Sequence, residues 1–207
     1  MSDELYCYPP DYRVLKNRLD IRDGDVLAAA EAEFVRTRIE QGSPSGQFDL
    51  NHLRDIHHHL FQDVYEWAGE VRQVEISKGG HQFPPKRFIE AGMADVHRRL
   101  VEQKYFTGAH KEIFVQDVGG IIGDVNYVHP FREGNGRTQL QYLKQLGDRA
   151  GFAVDISKLD PDEWINASIR SHAGDYDGMR LCLAAITTER AGRGRGVQQP
   201  LSKDRER

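Results

Sequence analysis

Long apolar runs are missing from this chain of 207 residues. None approaches the roughly 20 residues that a membrane-spanning helix needs. The opening MSDELYCYPP has neither the basic start nor the apolar centre of a secretory signal. No membrane association is expected, and the cytoplasm is the expected location. Cysteine is scarce as well: Cys7 and Cys182 are the two present, too few for a disulfide framework. Cys182 lies in the apolar run LCLAAI and reads as a small core side chain. Strong charge of either sign is absent too. With 28 Lys and Arg against 32 Asp and Glu, the net charge is −4. That gives no field to attract nucleic acid, and none is expected as a partner.

What is present suits one globular domain, with 39% apolar and 29% charged residues. Residues 1–22, rich in Tyr, Pro and charge, read as an extended lead-in that packs on the body. Residues 23–189 carry the domain. Residues 190–207 are charged and Gly-rich, with too little apolar surface to offset ordering entropy, so a disordered tail is expected.

Within the domain, apolar side chains recur at helical spacing. Asp23 or Asp25 can cap a helix to about Gln41, with Val26, Leu27, Phe34, Val35 and Ile39 apolar. Asp49 can cap a second, running through Leu53, Ile56, Leu60 and Val64 to Trp67 and ended by Gly69. Further helices are expected over 86–103, with Phe88 and Val101 inward, and over 111–127. Others follow from Arg137 to about Ala150, behind Asp160-Pro161, and from Asp175 or Asp177 to Ile186. Gly119, Gly120 and Gly123 weaken the 111–127 helix, which close helix packing would explain. Between 71 and 83, β-branched residues followed by Gly79-Gly80 and Gln82-Phe83 predict a small hairpin. His57, His58 and His59 invite a metal reading. Adjacent helical residues point about 100° apart, so they cannot converge on one ion and read as structural or solvated.

Residues 129–138, HPFREGNGRT, concentrate the chemistry. Pro130 marks a helix boundary, and helical periodicity resumes at Arg137, so GNGR falls at a helix start. Free backbone amides and the helix dipole there make an anion site. His129 can take a proton near neutral pH. Glu133 can hold a divalent cation as a hard oxygen ligand. Gly134 and Gly136 let the backbone approach a phosphate. Arg137 offers a fixed fork of donors to phosphate oxygens. Phe131 reads as a core anchor. A plain Gly-Asn-Gly turn would explain GNG alone, but not a histidine, a carboxylate and an arginine at fixed offsets around it.

The run resembles the signature of the Fic family (filamentation induced by cAMP), HPFx[DE]GNGRxxR, and is matched by His129, Pro130, Phe131, Glu133, Gly134, Asn135, Gly136 and Arg137. The resemblance extends from roughly Tyr8 to Ile186. It implies a mostly α fold, a helical bundle with a small β-hairpin flap, and transfer of AMP from ATP to a hydroxyl of a target protein. His129 would then be the base, and Glu133 would position Mg²⁺ on the phosphates. Gly134, Asn135, Gly136 and Arg137 would contact the nucleotide, joined by Lys78 and Gly79 of the flap. The target protein would lie along the flap, residues 71–83, by β-strand addition. The last arginine of the signature, which serves the γ-phosphate in the family, is Leu140 here. Lys144, one turn further, is a candidate to replace it.

Many members carry an inhibitory [ST]xxxE[GN] helix; here Glu133, inside the catalytic motif, is the sole Glu before Gly or Asn. The resemblance therefore implies a separate small antitoxin-like inhibitor, as in a toxin-antitoxin pair. In the family the inhibitory glutamate pairs with the arginine that is Leu140 here. Three alternatives stay open: a degenerate nucleotide- or protein-binding module, supported by Leu140; transfer of another phosphate-containing group; and nucleic-acid binding by the GRGRG of the tail.

Overall fold

The structure, a computed structural model, describes residues 4–78 and 80–190, so the tail from 191 onward and Gly79 lie outside the described residues. Asp23 caps helix α1 (Gly24–Gln41), its carboxylate accepting from the N–H of Asp25 and Val26. Asp49 caps α2 (Leu50–Phe61) through the N–H of His52. There follow α3 (Ile89–Glu102), α4 (Lys111–Val128), α5 (Asn135–Ala150), α6 (Pro161–Ser171) and α7 (Asp177–Ile186). Asp160 caps α6, with Pro161 in its first turn, where no N–H is needed.

The chain is mostly helical with a small hairpin, as its periodicity predicts. The core stripes are narrower than the apolar content suggests. α1 buries Leu27, Glu31 and Val35, one stripe at spacing four, which leaves Val26 and Phe34 exposed. α3 buries Ile89, Met93, Val96 and Leu100, which leaves Phe88 and Val101 outside. α2 ends at Phe61 rather than near Trp67. The chain then turns back on α2, where Gly69, at φ 83°, gives its N–H to His57 Nδ1 and its carbonyl to Arg54 Nε.

α4 is the central helix, packed against α3, α5, α6 and α7, while α2 packs on α1 and α5. At Gly123 a Cβ would stand 2.6 Å from the Tyr176 ring, so the close packing inferred from this glycine is present. Cys182 is buried, and Phe131 is wholly so. Residues 4–22 run across the body. Tyr6 and Cys7 are buried, the Tyr6 hydroxyl accepts from the Gln73 N–H, and the Arg18 N–H donates to Val64 O.

The flap is shorter than expected. Strand β1 (Ser77–Lys78) pairs antiparallel with β2 (His81–Gln82) in the register Ser77↔Gln82. Residues 71–76 are not strand; they are held by the Arg72 side chain on Val74 O and by backbone bonds from the Arg72 N–H to Pro130 O and from the Phe83 N–H to Ile76 O. A second sheet was not expected: β3 (Phe152–Val154) pairs with β4 (Thr187–Glu189). Its partners lie far apart in the chain and share no turn, so no local pattern announces it.

Candidate functional site

The motif forms the loop between α4 and α5. His129 caps α4 in the left-handed region, at φ 46°, and its N–H reaches Val125 O. Such a conformation costs a non-glycine residue about 1–2 kcal/mol, so surrounding bonds must hold it. They do. The carbonyl of His129 accepts from Arg72 Nε at 2.9 Å and that of Pro130 from the Arg72 N–H. The carbonyl of Phe131 accepts from Asn135 Nδ2, and Asn135 Oδ1 takes the Phe131 N–H in return. The carbonyl of Glu133 bonds His57 Nε2 at 3.0 Å. The Asn135 amide is thus engaged within the loop.

α5 begins at Asn135, and its first backbone bond runs from the Thr138 N–H to Gly134 O. The N–H groups of Asn135, Gly136 and Arg137 precede that bond, so they have no acceptor within the helix. The two glycines serve different ends. Gly134 has φ 80°, and a Cβ there would stand 2.4 Å from the Phe61 ring. At Gly136 a Cβ would meet nothing within 4 Å, so the bare backbone faces open space where a ligand can approach. Gly134→Ala is expected to destabilise the fold by about 2–4 kcal/mol, from overpacking and left-handed strain together. Gly136→Ala should leave stability unchanged or raise it by up to about 1 kcal/mol while weakening phosphate binding. Urea unfolding of the two variants beside ATP titration separates these roles; equal losses of stability would contradict them.

His129 Nδ1 lies 3.0 Å from Asn126 O. A carbonyl only accepts, so Nδ1 carries the proton and Nε2 keeps its lone pair. The ring stacks on Phe83 of the flap, centroids 3.7 Å apart. Burial pushes its pKa down to about 4, against the opposing pull of the Asn126 bond and Glu133, so the base form prevails at neutral pH.

These groups open on a cavity of about 550 Å³. His129, Glu133, Asn135 and Gly136 make its floor, and Ile76, Lys78 and Phe83 make the flap wall. A further wall comes from α6, through Trp164, Ile165, Ser168 and Ile169, and from His172 just after it. Sequence reasoning missed this wall. The available signal was Ile165 and Ile169, one turn apart and exposed on α6. Asn126 and Gln139 also line the cavity and were missed.

Arg137 borders this cavity without lining it. Its NH2 is 2.5 Å from Glu31 Oε1 and 3.8 Å from Glu133 Oε1, and its guanidinium sits 4.8 Å over the Phe61 ring. Glu31, 7% exposed, also accepts from the Tyr65 hydroxyl. Arg137 thus has a buried carboxylate partner that no motif announced. Leu140 is partly buried against the core, and Lys144 is exposed on α5. Among the described residues that line the cavity, the Lys and Arg side chains are Lys78 and Arg132, and Lys144 is not one of them.

Of the adjacent histidines, His57 is fully buried and stacks on Phe131 at 3.9 Å, with burial pushing its pKa down to about 3. His59 Nε2 bonds Arg38 O. These rings are structural, as expected. Among the described residues no group of three His, Cys, Asp or Glu could hold a metal by itself. Glu133, facing the cavity with one oxygen on the Gly134 N–H, fits Mg²⁺ shared with substrate phosphates, the usual habit of that ion.

A helical domain with a neutral histidine beside a carboxylate and a helix-start anion site defines a class of proteins that act on phosphate-containing ligands. The sequence profile of the Fic/DOC family matches residues 47–146. The probable protein adenylyltransferase y4lH of Sinorhizobium fredii is 39% identical over 174 residues, 84% of this chain and 90% of the relative. The protein adenylyltransferase VbhT of Bartonella schoenbuchensis is 37% identical over 183 residues, 87% of this chain but 38% of VbhT. The crystal structure of BepC from Bartonella tribocorum, with bound AMPPNP, superposes with a TM-score of 0.85 at 23% identity, covering 92% of this chain and 99% of that one. The chain belongs to the Fic/DOC family.

Proposed function

We propose that this chain is a protein adenylyltransferase that moves AMP from ATP to a hydroxyl side chain of a target protein. The observation that carries the reading is the neutral Nε2 of His129 in a cavity whose floor is the anion-binding start of α5. Identity of 32–39% over most of the chain to relatives named protein adenylyltransferases supports it.

The target hydroxyl loses its proton to His129 Nε2 as its oxygen attacks the α-phosphorus, and the bond to the bridging oxygen of pyrophosphate breaks. The Gly136 and Arg137 amides face the charge that develops on the α-phosphate oxygens. Mg²⁺, held by Glu133 together with the phosphates, would neutralise charge on the leaving pyrophosphate. The α6 wall, with Ile165 and Ile169, supplies the apolar surface a base requires. The target would present an extended segment along residues 71–83. A separate inhibitory protein would meet Leu140 where the family offers it an arginine. Among the described residues no helix is long and apolar enough to cross a membrane.

The test uses ATP radiolabelled at the α- or the γ-phosphate, with Mg²⁺ and a bacterial lysate. Label from the α position alone on a protein band is the expected result. Label from the γ position would instead favour phosphate transfer. Glu133→Ala should lose most of the stimulation by Mg²⁺; an unchanged metal dependence would remove Glu133 from its role.

A further inference from the structure

Arg72 is an arginine buried to 1% exposure with its charge met by one carboxylate, Glu75, itself half exposed. Taking a guanidinium out of water is costly unless its donors are all engaged, and here they are distributed with purpose. Nε donates to His129 O at 2.9 Å. NH1 donates to Val74 O at 2.9 Å and to Glu75 Oε2 at 3.1 Å, and NH2 to Pro84 O at 2.5 Å. Its backbone N–H holds Pro130 O. Val74 lies on the outgoing leg of the flap and Pro84 on the returning one. Glu75 Oε2 also accepts the Lys86 N–H, and Lys86 Nζ reaches Gln73 O, which closes the two legs further. At the end of the returning leg, Phe83 stacks on the His129 ring. One rigid fork therefore joins three carbonyls, two on the flap and one on the residue that carries the base. A lysine, with a single point of charge, cannot reproduce that.

We propose that Arg72 is a positioning residue that ties both legs of the flap to the strained backbone of His129, so that an acceptor laid on the flap and the base that deprotonates it share one frame. The catalytic part rests on the adenylyl-transfer reading. The geometric part does not.

The test compares wild type with Arg72→Met, which removes the buried charge and keeps the length. Histidine side-chain nitrogen NMR, assigned with His129→Gln, reads the His129 tautomer. Amide exchange reads the Phe83 N–H, bonded to Ile76 O. In folded Arg72→Met the single His129 tautomer should give way to a mixture, and Phe83 exchange should accelerate by about tenfold or more. Labelling of a lysate band should fall about 100-fold in maximal rate while KM for ATP stays within about threefold, as displacement of the base by about 1 Å would produce. A purely structural role would lower the unfolding midpoint and leave these ratios and the ring signals unmoved. Unchanged His129 signals and unchanged Phe83 exchange in a folded variant would overturn the proposal, whether or not any lysate protein is labelled. Absence of labelling by wild type would count against adenylyl transfer instead. Should Arg72→Met not fold, Arg72→Lys carries the same two measurements.

Discussion

His129→Ala is expected to lower transfer to protein by about 10²–10⁴-fold, the usual worth of a positioned general base. The affinity for ATP should change little, because in the proposed mechanism the phosphates meet the backbone amides that open α5 rather than the imidazole. The pH dependence is more discriminating. Burial holds the His129 pKa near about 4 instead of its ordinary value. A base with a depressed pKa is already deprotonated at neutrality, so the rate should be flat between about pH 6 and 8 and fall only in the more acidic range. An acidic limb centred near about 6.5, the ordinary histidine value, would show that the ring is solvated when it works. A variant that modified protein at the wild-type rate would remove the base assignment. The measurement is initial labelling rate against pH at saturating ATP.

Acid should unfold the protein steeply, and through two histidines rather than through carboxylates at first. His57 and His129 are both held neutral by burial, at about 3 and about 4. In the unfolded chain each returns to about 6.5. The folded pKa is thus depressed below the unfolded one. Above about pH 6.5 neither state binds the proton and nothing is lost. As pH falls below that value the unfolded state takes up protons that the folded state refuses, and stability declines until the folded values are reached. Each histidine contributes a slope of up to about 1.4 kcal/mol per pH unit, so the pair gives nearly 3, roughly. Urea unfolding between about pH 6.5 and 5 isolates this effect from the carboxylates, which titrate lower. His129→Gln should halve the slope. Stability that stayed level through that window would contradict the burial of both rings.

The two histidines also mark where sequence reasoning stops. The motif 129–138 places a histidine, a carboxylate and a glycine-flanked helix start within ten residues, because residue type and helix boundary are local properties. The helices were legible for a similar reason: caps such as Asp23, Asp49 and Asp160 and the apolar spacing behind them are local signals. Local signals erred where exposure was decided by neighbours. Phe88 and Val101 read as inward, yet among the described residues no element covers them enough to bury them. The turn after Phe61 escaped notice because the residues that hold it, Arg54 and His57, act from the preceding helix across a fold in the chain.

Sequence alone determined the fold class and the family, since both are written in residue type and short spacing. The tertiary structure decided how that motif is held. Arg72, His57, Glu31 and the α6 wall reach it from 24 or more positions away in the chain, through bonds and contacts set by packing. It also decided that Arg137 faces a buried carboxylate, that Lys144 stands in solvent, and that burial favours the neutral His129 ring. Burial and partnership are properties of the folded surroundings. A residue's identity limits them, but only its neighbours in space set them.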